Sequence, residues 1–381
     1  MLGIEAFLEV LAAAGVEYIF GNPGSTELPL SDALARDSRF RYIFGLHEGP
    51  LTAMGDGDAR ASGKPGVVCV HISCGVGNAM GMLYNAFCAG SPLLLVAGQQ
   101  DRRLRLGEPV LAGDTVAVTR PWTKWSYEVQ RVEDVPLAVR RAVQAALTPP
   151  TGPVFLSLPV DVQLEDAEDL DLSPPYISNR RVRPPEDALR QAAGMLAQAQ
   201  RPAILAGSRV TEADAVPELA VLAEMLAAPV LAEQQTSHAR LPMPSDHPLY
   251  AGSLPLWGPD VHGVLSEFDI ILVVGMDLLR LYIHQEPPRP IPDEVRLIHL
   301  DMDPWQIGKN YGIKVGLVGD PKAGLAELAQ RLRDLQSPEE AEAAARRLES
   351  HAARRKAERE TCLVEIDAQR DQRPMTTHAF M

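Results

Sequence analysis

Gly21-Asn22-Pro23-Gly24-Ser25-Thr26-Glu27-Leu28-Pro29, then Glu48, then His71-Ile72-Ser73-Cys74-Gly75-Val76-Gly77-Asn78: the reading of these three stretches decides the fold. The first follows an aromatic strand, residues 17–20, and the last follows a β-branched strand, residues 66–71. Glu48 stands on the loop after an apolar strand, residues 41–46. Each of the two Gly-rich turns opens a helix, so all three segments meet at the carboxyl ends of parallel strands, where open α/β sheets build ligand sites. A single Glu at such a point, with no Lys or Arg close by in sequence, is poorly placed to be a surface ion. Its bland alternative is a helix N-terminal carboxylate that stabilises the helix dipole.

Outward from these segments the pattern continues. An amphipathic helix over residues 4–14 ends at Gly15, a good C-terminal cap. Helices over 27–36, 49–62, 75–89 and 134–147 alternate with strands over 92–97 and 153–158. Repeated βα units with apolar strands mean a mostly parallel sheet covered by helices on both faces. Residues 1–164 are expected to form this first α/β domain. Residues 165–186, rich in acid, Pro and Ser, lose periodicity and read as a linker. A second α/β series fills 187–335, with strands over 203–205, 229–231, 270–274 and 297–300. Residues 336–372 have no apolar stripe wide enough for a core and read as a solvated helical linker. At 373–381 the pattern changes again, and Thr376 or Thr377 resembles an N-cap that opens a further, truncated domain.

The 381 residues suit two domains, and 46% apolar with 23% charged residues is ordinary for a soluble globular protein. A net charge of −14 argues against nucleic acid or an anionic membrane as the main partner. No run reaches the length of a membrane span, and the start lacks a signal-peptide profile. Cys69, Cys74, Cys88 and Cys362 show no CxxC spacing and read as reduced core thiols of a cytoplasmic protein.

Several runs carry a more specific resemblance: Phe20-Gly21-Asn22-Pro23-Gly24-Ser25, Gly77-Asn78-Ala79-Met80-Gly81, Ser91-Pro92-Leu93 with Ala97-Gly98-Gln99-Gln100, and Arg120-Pro121 with Lys124-Trp125-Ser126-Tyr127-Glu128. The first domain resembles the pyrimidine-binding domain of thiamin-diphosphate-dependent 2-oxo acid decarboxylases, most closely of the benzoylformate decarboxylase type. The second resembles that family's Rossmann-like central domain through Ile298-His299-Leu300-Asp301-Met302-Asp303-Pro304 and Gly319-Asp320.

The resemblance implies that Glu48 hydrogen-bonds the aminopyrimidine N1′ of thiamin diphosphate and so favours the tautomer that activates the cofactor. It places Asn22, Pro23, Gly24, Gly75, Gly77 and Asn78 around the cofactor, and gives Ser25, His71 and His284 roles with the substrate carboxylate and protons. Taken alone, Ser25 is equally a turn residue, and His71 a satisfied core histidine. At His284 the local sequence implies two inserted residues, which could aim the ring elsewhere. Val110 and Leu111 fall where the family lines its substrate pocket. The implied partners are a small 2-oxo acid and further copies of the chain, as a homodimer or homotetramer. Magnesium and the diphosphate would be held by the family's third domain, and these residues offer no metal site.

Two decoys are set aside. Gly75-Val76-Gly77 lacks the third glycine and the distal acid of a dinucleotide turn. Gly55-Asp56-Gly57-Asp58 imitates a metal and diphosphate motif but falls inside the helix that follows Glu48. Ala206-Gly207-Ser208-Arg209 gives no support for a flavin. Open alternatives are an acetolactate-synthase-like carboligase and a catalytically silent or split-subunit module.

Overall fold

The computed structural model describes every residue except 180, 234–239, 282, 285–288, 375 and 377–381. It divides into two compact units, Met1–Arg180 and Arg181–Met381. The first holds strands β1 (Tyr18–Asn22), β2 (Arg41–Phe44), β3 (Gly66–Val70), β4 (Leu93–Gln99), β5 (Trp125–Glu128) and β6 (Val154–Pro159). They pair in the order β2-β1-β3-β4-β6-β5, every pair parallel. The second holds β7 (Pro202–Ala206), β8 (Val230–Ala232), β9 (Tyr250–Ser253), β10 (Ile270–Val274), β11 (Arg296–Asp301) and β12 (Val315–Val318). Their order is β12-β11-β10-β7-β8-β9, again parallel throughout.

Parallel strands with helices on both faces bury both sets of alternating side chains, which is why their sequences run apolar without a break. Val67, Cys69, Leu94, Val96 and Leu156 point into one layer with Phe7 and Leu11 of the Gly3–Ala13 helix. Val68, Val70, Leu95 and Phe155 point into the other, with Leu51 and Leu83 of the helices Glu48–Ser62 and Ile72–Ala89. The second sheet has the same two-sided arrangement. At about 1.5–3 kcal/mol for each fully buried large aliphatic or Phe side chain, these layers hold the strand ends rigidly in place.

The chain leaves β1 for β2 on one side and returns to β3 on the other. The strand order therefore reverses at β1, and the loops after β1 and β3 flank the resulting crevice.

Several expectations need correction. His71-Ile72-Ser73-Cys74-Gly75-Val76-Gly77-Asn78 is a turn only at its first residue: the helix already starts at Ile72, and its first glycine is a packing residue within it. β5, β9 and β12 were not expected, because four-residue edge strands that are only partly buried carry little apolar signal. All four cysteines are free, but Cys74 and Cys362 are exposed, so they are not core thiols. In the stretch read as a linker, Leu170, Leu172 and Ile177 pack against the first core. The helix Pro338–Gln369 buries only Ala344. Of the proposed N-caps, Thr376 is flanked on both sides by residues outside the described set, and Thr377 is itself outside it. No described helix is long and apolar enough to cross a membrane.

Candidate active site

Glu48 is the first residue of the helix Glu48–Ser62, which is capped by His47: the Gly49 N–H donates to His47 Nδ1 at 3.0 Å. Only 7% of Glu48 is exposed. Asn22 Nδ2, at the end of β1, donates to its Oε1 at 3.3 Å, and Asn78 Nδ2 donates to its Oε2 at 2.9 Å. Both partners are neutral amides. Among the described residues no Lys or Arg pairs with this carboxylate. A buried carboxylate without a counter-ion is costly unless hydrogen bonds and a helix N-terminus offset it, and both are present here. Each oxygen keeps a lone pair for an incoming donor.

Gly75 lies beside it. A Cβ at Gly75 would stand 3.0 Å from Val70 Cβ and 3.4 Å from Glu48 Oε1, so its absence keeps the space next to the carboxylate open. Gly77 faces open space, and Asn78 is outward on the same helix.

His71 follows β3 and stands at the N-cap position of the helix Ile72–Ala89, its side chain making no capping hydrogen bond. The backbone between them is strained, because Ile72, a β-branched residue, has φ +31°. His71 Nδ1 lies 2.6 Å from Glu27 Oε2 and 3.3 Å from Thr26 Oγ1. Ser25, exposed, opens the 3-10 turn Ser25–Glu27 that carries both partners. Pro23 is half-buried in the same loop. Glu27 is buried, with carboxylate contacts to the Gly24 and Gly98 amides and to Thr26. Burial pushes the Cys69 thiol well up, and the charge of Glu27 adds to this. Burial likewise raises the Tyr42 phenol, with smaller contributions from Cys69 and Glu27.

The structure thus gathers the expected residues into two adjoining groups: Asn22, Glu48, Gly75 and Asn78 in one, and Gly24, Ser25 and His71 in the other. The loop after β1 and the turn from His71 to Gly75 join them, the Gly75 N–H donating to the His71 carbonyl at 2.8 Å. Leu111, at φ +68°, is tied to this end: Ser73 Oγ donates to its carbonyl at 2.7 Å, and Gln100 Nε2 donates to that of Val110 at 2.8 Å. The Val110 side chain is 81% exposed, so within this unit it walls no closed pocket. His284 belongs to the second unit, is exposed, and borders residues 285–288 outside the described set.

Glu27 escaped the sequence reading because Gly24-Ser25-Thr26-Glu27 looks like an ordinary capping sequence. The signal was available: like Glu48, Glu27 has no nearby cation in sequence, the first being Arg36. Of the decoys, Asp56 accepts from Ser91 Oγ and pairs with Arg60 at 3.8 Å inside its helix. In the second unit, Arg209 Nη2 reaches Asp301, the last residue of β11, and Asp277, which follows β10, at 2.8 Å each.

Comparison with known proteins agrees with this geometry. Residues 1–118 match the thiamine pyrophosphate enzyme, N-terminal TPP binding domain, and residues 189–328 match the thiamine pyrophosphate enzyme, central domain. The chain belongs to the thiamine pyrophosphate enzymes. It is 35% identical over 338 residues to a benzoylformate decarboxylase of Pseudomonas aeruginosa, covering 87% of this chain and 62% of that one. An acetolactate synthase large subunit of Lactococcus lactis is 29% identical over 333 residues, with 86% and 57% covered. A solved structure of benzoylformate decarboxylase from Polynucleobacter necessarius superposes with a TM-score of 0.80 at 33% identity, over 87% of this chain and 61% of that one. The chain therefore spans about six tenths of the length of these relatives.

Proposed function

We propose that this chain supplies the pyrimidine-side half of a thiamin-diphosphate-dependent enzyme that decarboxylates a 2-oxo acid without oxidation, in the manner of benzoylformate decarboxylase. The observation that carries the reading is the Glu48 carboxylate, buried, without a cation, and held by two amides with acceptor capacity to spare. When bound, thiamin diphosphate supplies a nucleophilic thiazolium carbon and an electron sink for the charge left by departing CO2. Glu48 would share a proton with the ring nitrogen N1′ and so hold the cofactor in its active tautomer. Asn22 and Asn78 fix the Glu48 oxygens, and Gly75 keeps room for the ring. Ser25 and His71 would bind the substrate carboxylate and move protons, with Leu111 and Val110 bordering the same end.

Magnesium and the diphosphate we assign to the part of the relatives' length that this chain does not span. Among the described residues no group of three or more His, Cys, Asp or Glu is placed to hold a metal. We also propose self-association and a cytoplasmic location. The helix Ile72–Ala89 has no charged residue, yet it exposes Gly77, Gly81, Tyr84 and Phe87 along one face, which favours contact with another protein surface. Analytical ultracentrifugation of Tyr84→Lys against wild type tests the first of these, a monomeric wild type refuting it.

A second reading, carboligation, is favoured by the likeness to acetolactate synthase. Assay of the chain together with whatever supplies the rest of the relatives' length, against a panel of 2-oxo acids with and without an acceptor aldehyde, separates the two. Free aldehyde and CO2 without acceptor support decarboxylation. Turnover only with a second carbonyl compound supports carboligation, and no turnover with any pair sinks both.

A further inference from the structure

Glu27 decides how His71 can act. Its side chain is almost wholly enclosed, at 2% exposure. Oε1 accepts from the Gly98 N–H at 2.7 Å and from Thr26 Oγ1 at 2.9 Å. Oε2 accepts from the Gly24 N–H at 3.0 Å and faces His71 Nδ1 at 2.6 Å. The three donors at Gly98, Thr26 and Gly24 are arranged for an ionised carboxylate, which is acceptor-only. The Thr26 hydroxyl has given its single hydrogen to Glu27 Oε1, so toward Nδ1, 3.3 Å away, it too can only accept. Both neighbours of Nδ1 are therefore acceptors, and the hydrogen between them must belong to the ring.

From this we infer that Glu27 is a positioning residue that locks neutral His71 in the Nδ1–H tautomer and makes Nε2 its working nitrogen. The inference rests on the reading of His71 as a proton carrier at this site. A proton taken up during turnover lands on the Nε2 lone pair and leaves from Nε2, while the Nδ1–H stays on Glu27 throughout. The carboxylate stabilises the imidazolium formed in between, and the ring cannot turn over without losing that contact. Gly24 belongs to the same device. A Cβ there would stand 2.2 Å from His71 Nδ1, so only glycine lets the imidazole settle onto the loop after β1.

The direct test is a long-range 1H–15N correlation spectrum of the histidine-labelled chain at a pH where the ring is neutral, with His71 assigned by its loss in His71→Gln. Wild type should show a protonated Nδ1 and a bare Nε2. The opposite pattern overturns the inference. In Glu27→Gln the amide oxygen should keep the shorter Gly98 contact, which turns the NH2 toward His71. Nδ1 must then accept, and the ring should switch to the Nε2–H form. A folded Glu27→Gln chain with the wild-type tautomer overturns the inference as well. Should that variant not fold, the wild-type spectrum still decides. In a form that also supplies the rest of the relatives' length, Glu27→Gln should lower kcat by roughly tenfold or more with KM little changed. If His71→Ala proves as active as wild type, the proton-carrier reading falls, while the spectrum still decides for or against the Glu27 lock.

Discussion

Glu48 and Glu27 are both buried carboxylates that, among the described residues, pair with no lysine or arginine, yet their partners give them different work. Glu48 is held by two side-chain amides and keeps acceptor capacity facing open space, whereas all four contacts of Glu27 are made inside the protein. Glu48→Gln, in a form that also supplies the rest of the relatives' length, should therefore slow exchange of the cofactor's C2 proton, because an amide cannot share the N1′ proton. Loss of one such interaction typically costs about 2.7–4 kcal/mol, or ~10²–10³ in rate. NMR of the exchange checks this, and a wild-type rate in the variant would assign Glu48 another job. Ser25→Ala and His71→Ala should leave that exchange largely intact and lower turnover by ~10²-fold, the usual contribution of a positioned acid–base group. Steady-state kinetics beside exchange rates separate the two classes of residue. Of these residues, Glu48 was legible in sequence because it stands alone after an apolar strand. Glu27 shared that lack of a nearby cation, but its role was not legible, since its partners Gly98 and His71 lie far along the chain.

At the scale of elements, strand β11 shows what a fully enclosed polar side chain does to stability. His299 pairs in register with Val273 and Gly316, is 0% exposed, and neither ring nitrogen reaches a partner in hydrogen-bond geometry. Burial depresses its pKa to about 4. The nearby Met276 backbone opposes this, and the charge of Arg209, the smaller of the two, adds to it. Between the ordinary value of 6.5 and about 4, the unfolded chain binds a proton that the folded one refuses. Stability should therefore rise with pH across this window and be lost as pH falls through it, by about 3 kcal/mol. The carboxyl of Asp301, pushed up by burial, works in the opposite direction, so the comparison must be with His299→Leu. Urea midpoints for His299→Leu should change less between pH 6.5 and 4 than those of wild type, and equal slopes would refute the assignment. The apolar strand itself was plain in sequence, as were β1, β3, β4, β7 and β10, because runs buried on both faces have a strong signature. The short edge strands β5, β9 and β12 lacked it. The helix start at Ile72 was hidden because glycines at 75 and 77 look like a turn until the packing of Gly75 against Val70 and Glu48 is seen.

At the scale of the whole molecule, two complete parallel sheets with their own cores imply that the 381 residues fold without a ligand. Folding and cofactor capture should nevertheless part company. Thiamin diphosphate carries its anchoring charge on the diphosphate, and magnesium sites for phosphates are built from carboxylate and amide oxygens. The described residues offer the ring-side groups around Glu48 but no cluster fit for the metal. Asp56, the carboxylate of the imitation motif, is engaged by Ser91 and Arg60, and the burial that raises the Asp58 carboxyl weakens it as a ligand. The net charge of −14 adds a general repulsion of the diphosphate, screened beyond about 8 Å at physiological salt. Titration calorimetry on the 381-residue chain should therefore show weak binding of thiamin diphosphate that magnesium does not improve. A form that also supplies the rest of the relatives' length should bind tightly only with the metal present. Micromolar, magnesium-dependent binding to the 381 residues alone would refute this division of labour. It would also place the ligands among residues that now read as structural, with Asp56 and Asp58 the first to replace.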